Sequence, residues 1–260
     1  MGTNSLDIQQ SLKYYAKKRN YFLFFVISFL LILGIGYFGL LEIGINNDLI
    51  VTIYILIGIG FLIFVIWYRQ RYNYYIMQLE YFKMLNDQQG PITIPRPIFT
   101  QSFIDAFKKD GFIEGLSETA FVLYYRFSKK VEGIVNSGQV LEVIVLAKNE
   151  SVDFYSETID KAIQNLYLKY KDEKKVKKQI VLQFKKYTKF DEDAKFEADK
   201  IINFKAANNY LVHITVAHIP KLNQIYYLRP KKRYPNKFYY YASTQIRKYC
   251  GLSEDENERR

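Results

Sequence analysis

Two uninterrupted apolar runs dominate the first quarter of the chain. Residues 21–41 read YFLFFVISFLLILGIGYFGLL and residues 49–68 read LIVTIYILIGIGFLIFVIWY, neither with a charged residue. A helix of about 20 apolar residues crosses a hydrocarbon core of roughly 30 Å, and a helix is the conformation in which a chain in lipid satisfies its own backbone. The pattern predicts a two-helix transmembrane hairpin with spans at about 21–41 and 49–68. The first run is too long for the apolar region of a signal peptide, and no small-x-small cleavage site follows it, so it is expected to stay as an anchor. Gly34, Gly36, Gly39, Gly58 and Gly60 lie in the runs. None is paired four residues apart, so the GxxxG association signal is absent, though the glycines would let two helices approach closely.

After Tyr68 the pattern changes. Ile76, Leu79, Phe82 and Met84 or Leu85 fall near one helical stripe, as a continuation of the second span or a short juxtamembrane helix. NDQQGPITIPRP, with three prolines and a glycine, then reads as an extended linker. Beyond it, helical and alternating segments succeed one another. A helix capped by Thr100 or Ser102 stops at Gly111. Strands follow at ETAFVLYYRFSKK and GQVLEVIVLAKN, with VEGIVNSG as the turn region between them. A helix carries Tyr155, Ile159, Ile163, Leu166 and Tyr170, and KKQIVLQFKKY is a third strand. DEDAKFEADKIINFKAA is a helix with Asp191 as N-cap. YLVHITVAHIP and NQIYYLRPK are strands, and KFYYYASTQIRKYCG is a closing helix ending at Gly251. The expected fold is a transmembrane hairpin followed by a cytosolic α/β (α+β) domain with a mixed sheet of about five strands. The expected divisions are an N-terminal cytosolic segment 1–20, the hairpin 21–71, a juxtamembrane helix and linker 72–99, the α/β domain 100–251, and a charged tail 252–260.

Charge orients the hairpin. Lys13, Lys17, Lys18 and Arg19 precede the first run and Arg69 and Arg71 follow the second, whereas the connection EIGINND carries only Glu42 and Asp48. The positive-inside rule places both termini in the cytoplasm of a cell (inner) membrane protein. Lys17, Lys18, Arg19, Trp67, Arg69 and Arg71 are the expected membrane-interface residues, with Tyr68, Tyr72, Tyr74 and Tyr75 completing an aromatic belt. The abundance of Ile, Lys, Tyr, Phe and Asn fits AT-rich codons, hence a bacterial source. The formal net charge is +11. Basic residues cluster at Lys171, Lys174, Lys175, Lys177 and Lys178, and again at Arg229, Lys231, Lys232, Arg233 and Lys237. Under an anionic leaflet such residues gain about 1 kcal/mol each. The second cluster is the expected binding surface for anionic lipid or ligand. Nucleic acid is a less favoured partner, suggested by the tyrosines that follow the cluster.

Candidate chemistry is sparse. Cys250 is the one cysteine, which excludes an internal disulfide and a thiolate-rich zinc site. No Walker-type, G-x-G-x-x-G or H-E-x-x-H pattern occurs, and no metal or cofactor is expected. His213-Ile214-Thr215 resembles one of the two H-x-T/S elements of the two-histidine phosphoesterases, a resemblance covering about eight residues. That chemistry implies a second imidazole, and the other histidine, His218, lies five positions on in the same strand, facing the opposite way. Glu142 and the pair Gln183, Lys185 resemble the strand-borne acid and acid-x-Lys of metal-dependent restriction-type nucleases, with Gln in place of the second acid. The bland reading of both sets is strand polarity. The expected function is a membrane-anchored cytosolic binding or sensing module, non-enzymatic, whose partners are membrane lipids and either a protein or further copies of the chain. The rivals are a membrane-tethered phosphoesterase or nuclease using His213 and Thr215 or Glu142 and Lys185, and a ligand-triggered two-span membrane effector.

Overall fold

A computed structural model describes residues 5–43, 46–131, 133–134, 138–170, 176–206 and 209–252. The chain divides into two compact units, residues 4–83 and the part from Met84 onward.

The first unit is a pair of long helices, α1 (Ser5–Glu42) and α2 (Asn47–Asn86). Both extend past their apolar runs, so the polar stretch before Tyr21 and the stripe from Ile76 are continuous with them. The helices meet through aromatic side chains in antiparallel register: Phe22 on Tyr68 (centroids 4.6 Å apart), Phe25 on Phe64 (5.4 Å), Phe29 on Phe61 (4.3 Å) and Tyr37 on Tyr54 (5.4 Å). Of the five glycines, Gly36 alone serves close approach, because a Cβ there would stand 2.8 Å from the Tyr54 hydroxyl. Many of the remaining apolar side chains point outward: Phe24 is 72% exposed, Ile35 74% and Ile66 69%.

The second unit is an α/β domain around an eight-stranded mixed sheet. Its elements are the last turn of α2, β1 (Ile92–Thr93), α3 (Gln101–Lys108), β2 (Ile113–Ser117), β3 (Phe121–Ser128), β4 (Val140–Ala147), α4 (Glu157–Lys169), β5 (Lys178–Lys186), α5 (Glu192–Asp199), β6 (Ile201–Ala206), β7 (Asn209–Ile219), β8 (Gln224–Tyr226) and α6 (Lys237–Tyr249). The order across the sheet is β1-β8-β7-β5-β4-β3-β2, with β6 paired to β7. Strands β4, β5 and β7 run parallel at the centre, and their neighbours are antiparallel. Central parallel strands are covered on both sides and read as near-continuous apolar runs, as VLEVIVLA does; all eight of its residues are buried. One face, carrying Leu141, Val143, Val145 and Val181, packs on Ile159, Ile163 and Leu166 of α4. The same face continues to Ala217, which packs with Ala194 and Ala198 of α5. The other face takes α3, through Phe103 against Phe184 (5.1 Å), and α6, through Phe238 against Tyr210 (4.6 Å).

Eight strands replace the five expected. β1 lies in the Pro-rich linker and consists of two residues paired with β8. β2 is a short edge strand whose register shifts between Glu114 and Leu116 around Gly115, and its burial shows no alternation to read. The helix opened by Asp191 ends at Asp199, and IINFKA becomes β6, six residues paired with β7. The β-branched pair Ile201-Ile202 prefers a strand, and the acidic N-terminal signal of the helix says nothing of where it stops. The caps fall as expected: Thr100 accepts from the Phe103 N–H and Asp191 from the Ala194 N–H.

Candidate functional site

Three groups of polar side chains are candidates, two inside the α/β domain and one in the helical pair; the α/β domain also carries a basic surface.

On the α4/α5 face, side-chain alternation puts Gln183 and Lys185 of β5 beside His213 and Thr215 of β7, with Gln183 opposite Thr215 in register. The His213 ring stacks on Phe154 at 4.4 Å, and its Nε2 lies 3.1 Å from Gln183 Oε1. Burial drives its pKa down to about 3, so the imidazole is neutral. A neutral, enclosed ring offers a phosphoester no approach. Thr215 Oγ1 is buried and finds no hydrogen-bond partner among the described residues. Lys185 is fully buried and donates to Glu197 Oε2 of α5 at 2.7 Å. Tyr187 donates to the same oxygen at 2.8 Å, and Glu197 Oε1 accepts the Phe154 N–H at 3.1 Å. Glu197 thus closes the charge of Lys185 and ties the β4–α4 connection to α5.

Glu142 faces the other way. Arg126 Nη2 donates to Glu142 Oε2 at 2.8 Å and to the Tyr241 hydroxyl at 2.9 Å; Tyr241 donates to Glu142 at 3.0 Å, and Ser128 donates to Oε1. Arg126 Nη1 donates to the Asp110 carbonyl at 2.7 Å, and its guanidinium lies 4.5 Å from the Phe112 ring centroid. Burial would lower the guanidinium pKa, but the Glu142 carboxylate outweighs it and raises it. Glu142 and Lys185 therefore stand on opposite faces of the sheet, each with its own counter-charge, and do not form a shared metal site. Among the described residues no group of three His, Cys, Asp or Glu is placed to hold a metal ion. His218 shares the Glu142 side of the sheet. Its ring centroid is 6.0 Å from that of Phe99, and burial aided by Lys186 lowers its pKa to about 4.

The basic surface divides. Arg229 is buried, while Lys231, Lys232, Arg233 and Lys237 are exposed. The segment is pinned to the residues just after α2: Gln89 N–H donates to the Arg229 carbonyl at 2.8 Å, Lys231 N–H to the Asp87 carbonyl at 2.8 Å, and Lys232 N–H to Asp87 Oδ2 at 2.9 Å. Of the other cluster, Lys171, Lys174 and Lys175 lie outside the described residues, as does the tail from Ser253. Lys178 meets the second cluster, its Nζ 5.5 Å from the centroid of Phe238, next to Lys237.

In the helical pair, Tyr14 and Tyr15 of α1 face Gln70, Arg71, Tyr74 and Tyr75 of α2 across an open groove of about 500 Å³. Tyr15 stacks on Phe82 at 5.6 Å and meets Tyr74 edge-on at 6.3 Å; burial, then Tyr74, raises its pKa to about 12, so its hydroxyl keeps its proton. Cations lie over the rings around the groove: Lys17 over Tyr21 (5.5 Å), Lys18 over Tyr14 (5.6 Å) and Arg71 over Trp67 (5.1 Å). Arg19 bonds Asn20, and Arg69 is exposed.

Sequence reasoning passed over Arg126, Glu197 and the tyrosines of α1. A lone Arg inside FVLYYRFS is the signal that could have exposed the first. Glu197 leaves no such trace, because its partner lies twelve residues back, across the connection from β5 to α5. We found no match to this chain among protein-family models, curated proteins or solved structures.

Proposed function

We propose that the chain is a multi-pass cell (inner) membrane protein in which the helical pair spans the bilayer and carries the α/β domain on the cytoplasmic side as a binding or sensing module without catalytic activity. The observation that carries this reading is the exposure of the apolar helices. The most apolar windows of α1 and α2 are 0% and 6% buried, whereas a soluble core helix would be covered. Removing that many large apolar side chains from water requires another apolar medium, and two neighbouring uncharged runs of bilayer length match lipid. Lys13, Lys17, Lys18, Arg19, Arg69 and Arg71 on the side of the termini support the orientation. The enclosure of His213 and the separation of Glu142 from Lys185 support a binding role over hydrolysis. The exposed Lys231, Lys232, Arg233 and Lys237 support contact with an anionic leaflet or ligand, screened by salt.

Expression of the full chain followed by alkaline carbonate extraction tests the anchor. The protein is expected to stay in the membrane pellet and to need detergent for solubility. Release into the carbonate supernatant as a monomer would refute it.

A further inference from the structure

The groove in the helical pair has a feature that simple anchoring does not require. Tyr14 and Tyr15 lie six or seven residues before the first apolar run, about 10 Å along the helix at ~1.5 Å per residue. Gln70 to Tyr75 lie two to seven residues beyond the second run, about 3–10 Å. The headgroup layer adds about 5–8 Å to each side of the hydrocarbon core. If the runs cross the bilayer upright, Gln70 and Arg71 sit at the depth of lipid phosphates, with the four tyrosines at the outer edge of the headgroup layer.

Its chemistry is one-signed. No Asp or Glu occurs from Ile8 to Asn20 or from Arg69 to Leu79, and six Lys and Arg do. Among the described residues none of these six pairs with a carboxylate. The Arg71 guanidinium is laid over Trp67, which fixes it while leaving its N–H fork for an anion. The tyrosine hydroxyls add neutral donors. A fork plus hydroxyl donors suits a phosphate oxygen set, and ~500 Å³ falls in the range of small-ligand sites, ~300–1,000 Å³.

We propose that the groove lined by Tyr14, Tyr15, Gln70, Arg71, Tyr74 and Tyr75 seats the headgroup of an anionic phospholipid, with Arg71 as its principal phosphate partner. This rests on the membrane-spanning reading above and adds a defined lipid site to it. A general attraction between basic flanks and a charged leaflet would not depend on one arginine; a seated headgroup does.

Trp67 is the only tryptophan of the chain and touches Arg71, so its fluorescence reports the lipid beside the site. The full chain is reconstituted in phosphatidylcholine bilayers containing, at equal mole fraction, either brominated phosphatidylglycerol or brominated phosphatidylcholine. The expected result is an effective association about fivefold stronger for the anionic quencher, lost in Arg71→Gln, reduced in Tyr74→Phe and kept in Lys221→Gln, at an exposed lysine outside the basic clusters. Equal quenching by the two lipids would overturn the site. So would an equal loss in Arg71→Gln and Lys221→Gln, which is diffuse charge attraction. Erasure of the preference by millimolar glycerol phosphate would overturn the lipid assignment in favour of a soluble phosphate ligand. Absence of quenching by either lipid would instead refute insertion itself, so failure of the anchor is distinguishable from failure of the site.

Discussion

Replacing Glu197 by Gln removes one charge and almost no volume, and the structure makes the consequence large. Lys185 is buried, its side chain 1% exposed, and its ammonium is matched by Glu197 Oε2 at 2.7 Å. Uncovering a buried charge by removing its partner costs about 3–5 kcal/mol. The reverse substitution is milder. In Lys185→Met an apolar chain fills the space, and Glu197, with a side chain 18% exposed, keeps Tyr187, the Phe154 N–H and access to water; the expected cost is about 1–2 kcal/mol. The readout is Cys250, fully buried and the one thiol in the chain. Burial raises its pKa, so it reacts when the domain opens. If closing outpaces labelling, the alkylation rate of the full chain in detergent follows the open population. At ~1.4 kcal/mol per decade, Glu197→Gln should label about a hundred to several thousand times faster than wild type, and Lys185→Met less than about thirty times faster. Equal acceleration in the two variants, or less than tenfold in Glu197→Gln, would refute the view that Glu197 serves to neutralise Lys185.

The buried histidines predict an acid limb of stability. His213 and His218 have folded-state pKa values of about 3 and about 4 against 6.5 when exposed. Between 6.5 and those values the unfolded chain binds protons that the folded chain does not, so stability is intact above 6.5 and falls as the pH drops through the window, by up to ~1.4 kcal/mol per pH unit for His213. Urea unfolding followed by near-ultraviolet circular dichroism should show a shallower slope between pH 6 and 5 in His213→Leu, and an unchanged slope would contradict the burial argument. On the opposite face, Arg126→Met strands Glu142, which is 3% exposed, and should destabilise by about 3–5 kcal/mol. Tyr241→Phe, which removes one donor, should cost about 1–2 kcal/mol in the same unfolding assay; a reversed ranking would refute Arg126 as the counter-charge.

The most legible features were those with long, regular signals. The two apolar runs, the caps at Thr100 and Asp191, and the buried strands β3, β4, β5 and β7 all stand at or close to their expected positions. β1, β2 and β6 were less legible, since two pairing residues, a register shift at Gly115 and a strand directly behind a helix give local patterns too short to read. Polar groups were harder still. Glu142 and Lys185 share the same local look, a polar residue in an apolar strand, and only pairing register shows that they occupy opposite faces with Arg126 and Glu197 as separate partners. The groove depends on two helices brought side by side, which no single segment encodes.

The central claim is that the helical pair crosses the membrane with the α/β domain inside. Its most direct test is thiol accessibility in intact cells. Ile43→Cys places a thiol at a position 76% exposed in the turn after α1, and Lys232→Cys places one on the exposed basic segment, while native Cys250 is buried and contributes no background. An impermeant maleimide should label position 43 in intact cells and position 232 only after permeabilisation. Labelling of position 232 in intact cells, or of neither position until the cells are opened, would contradict the account.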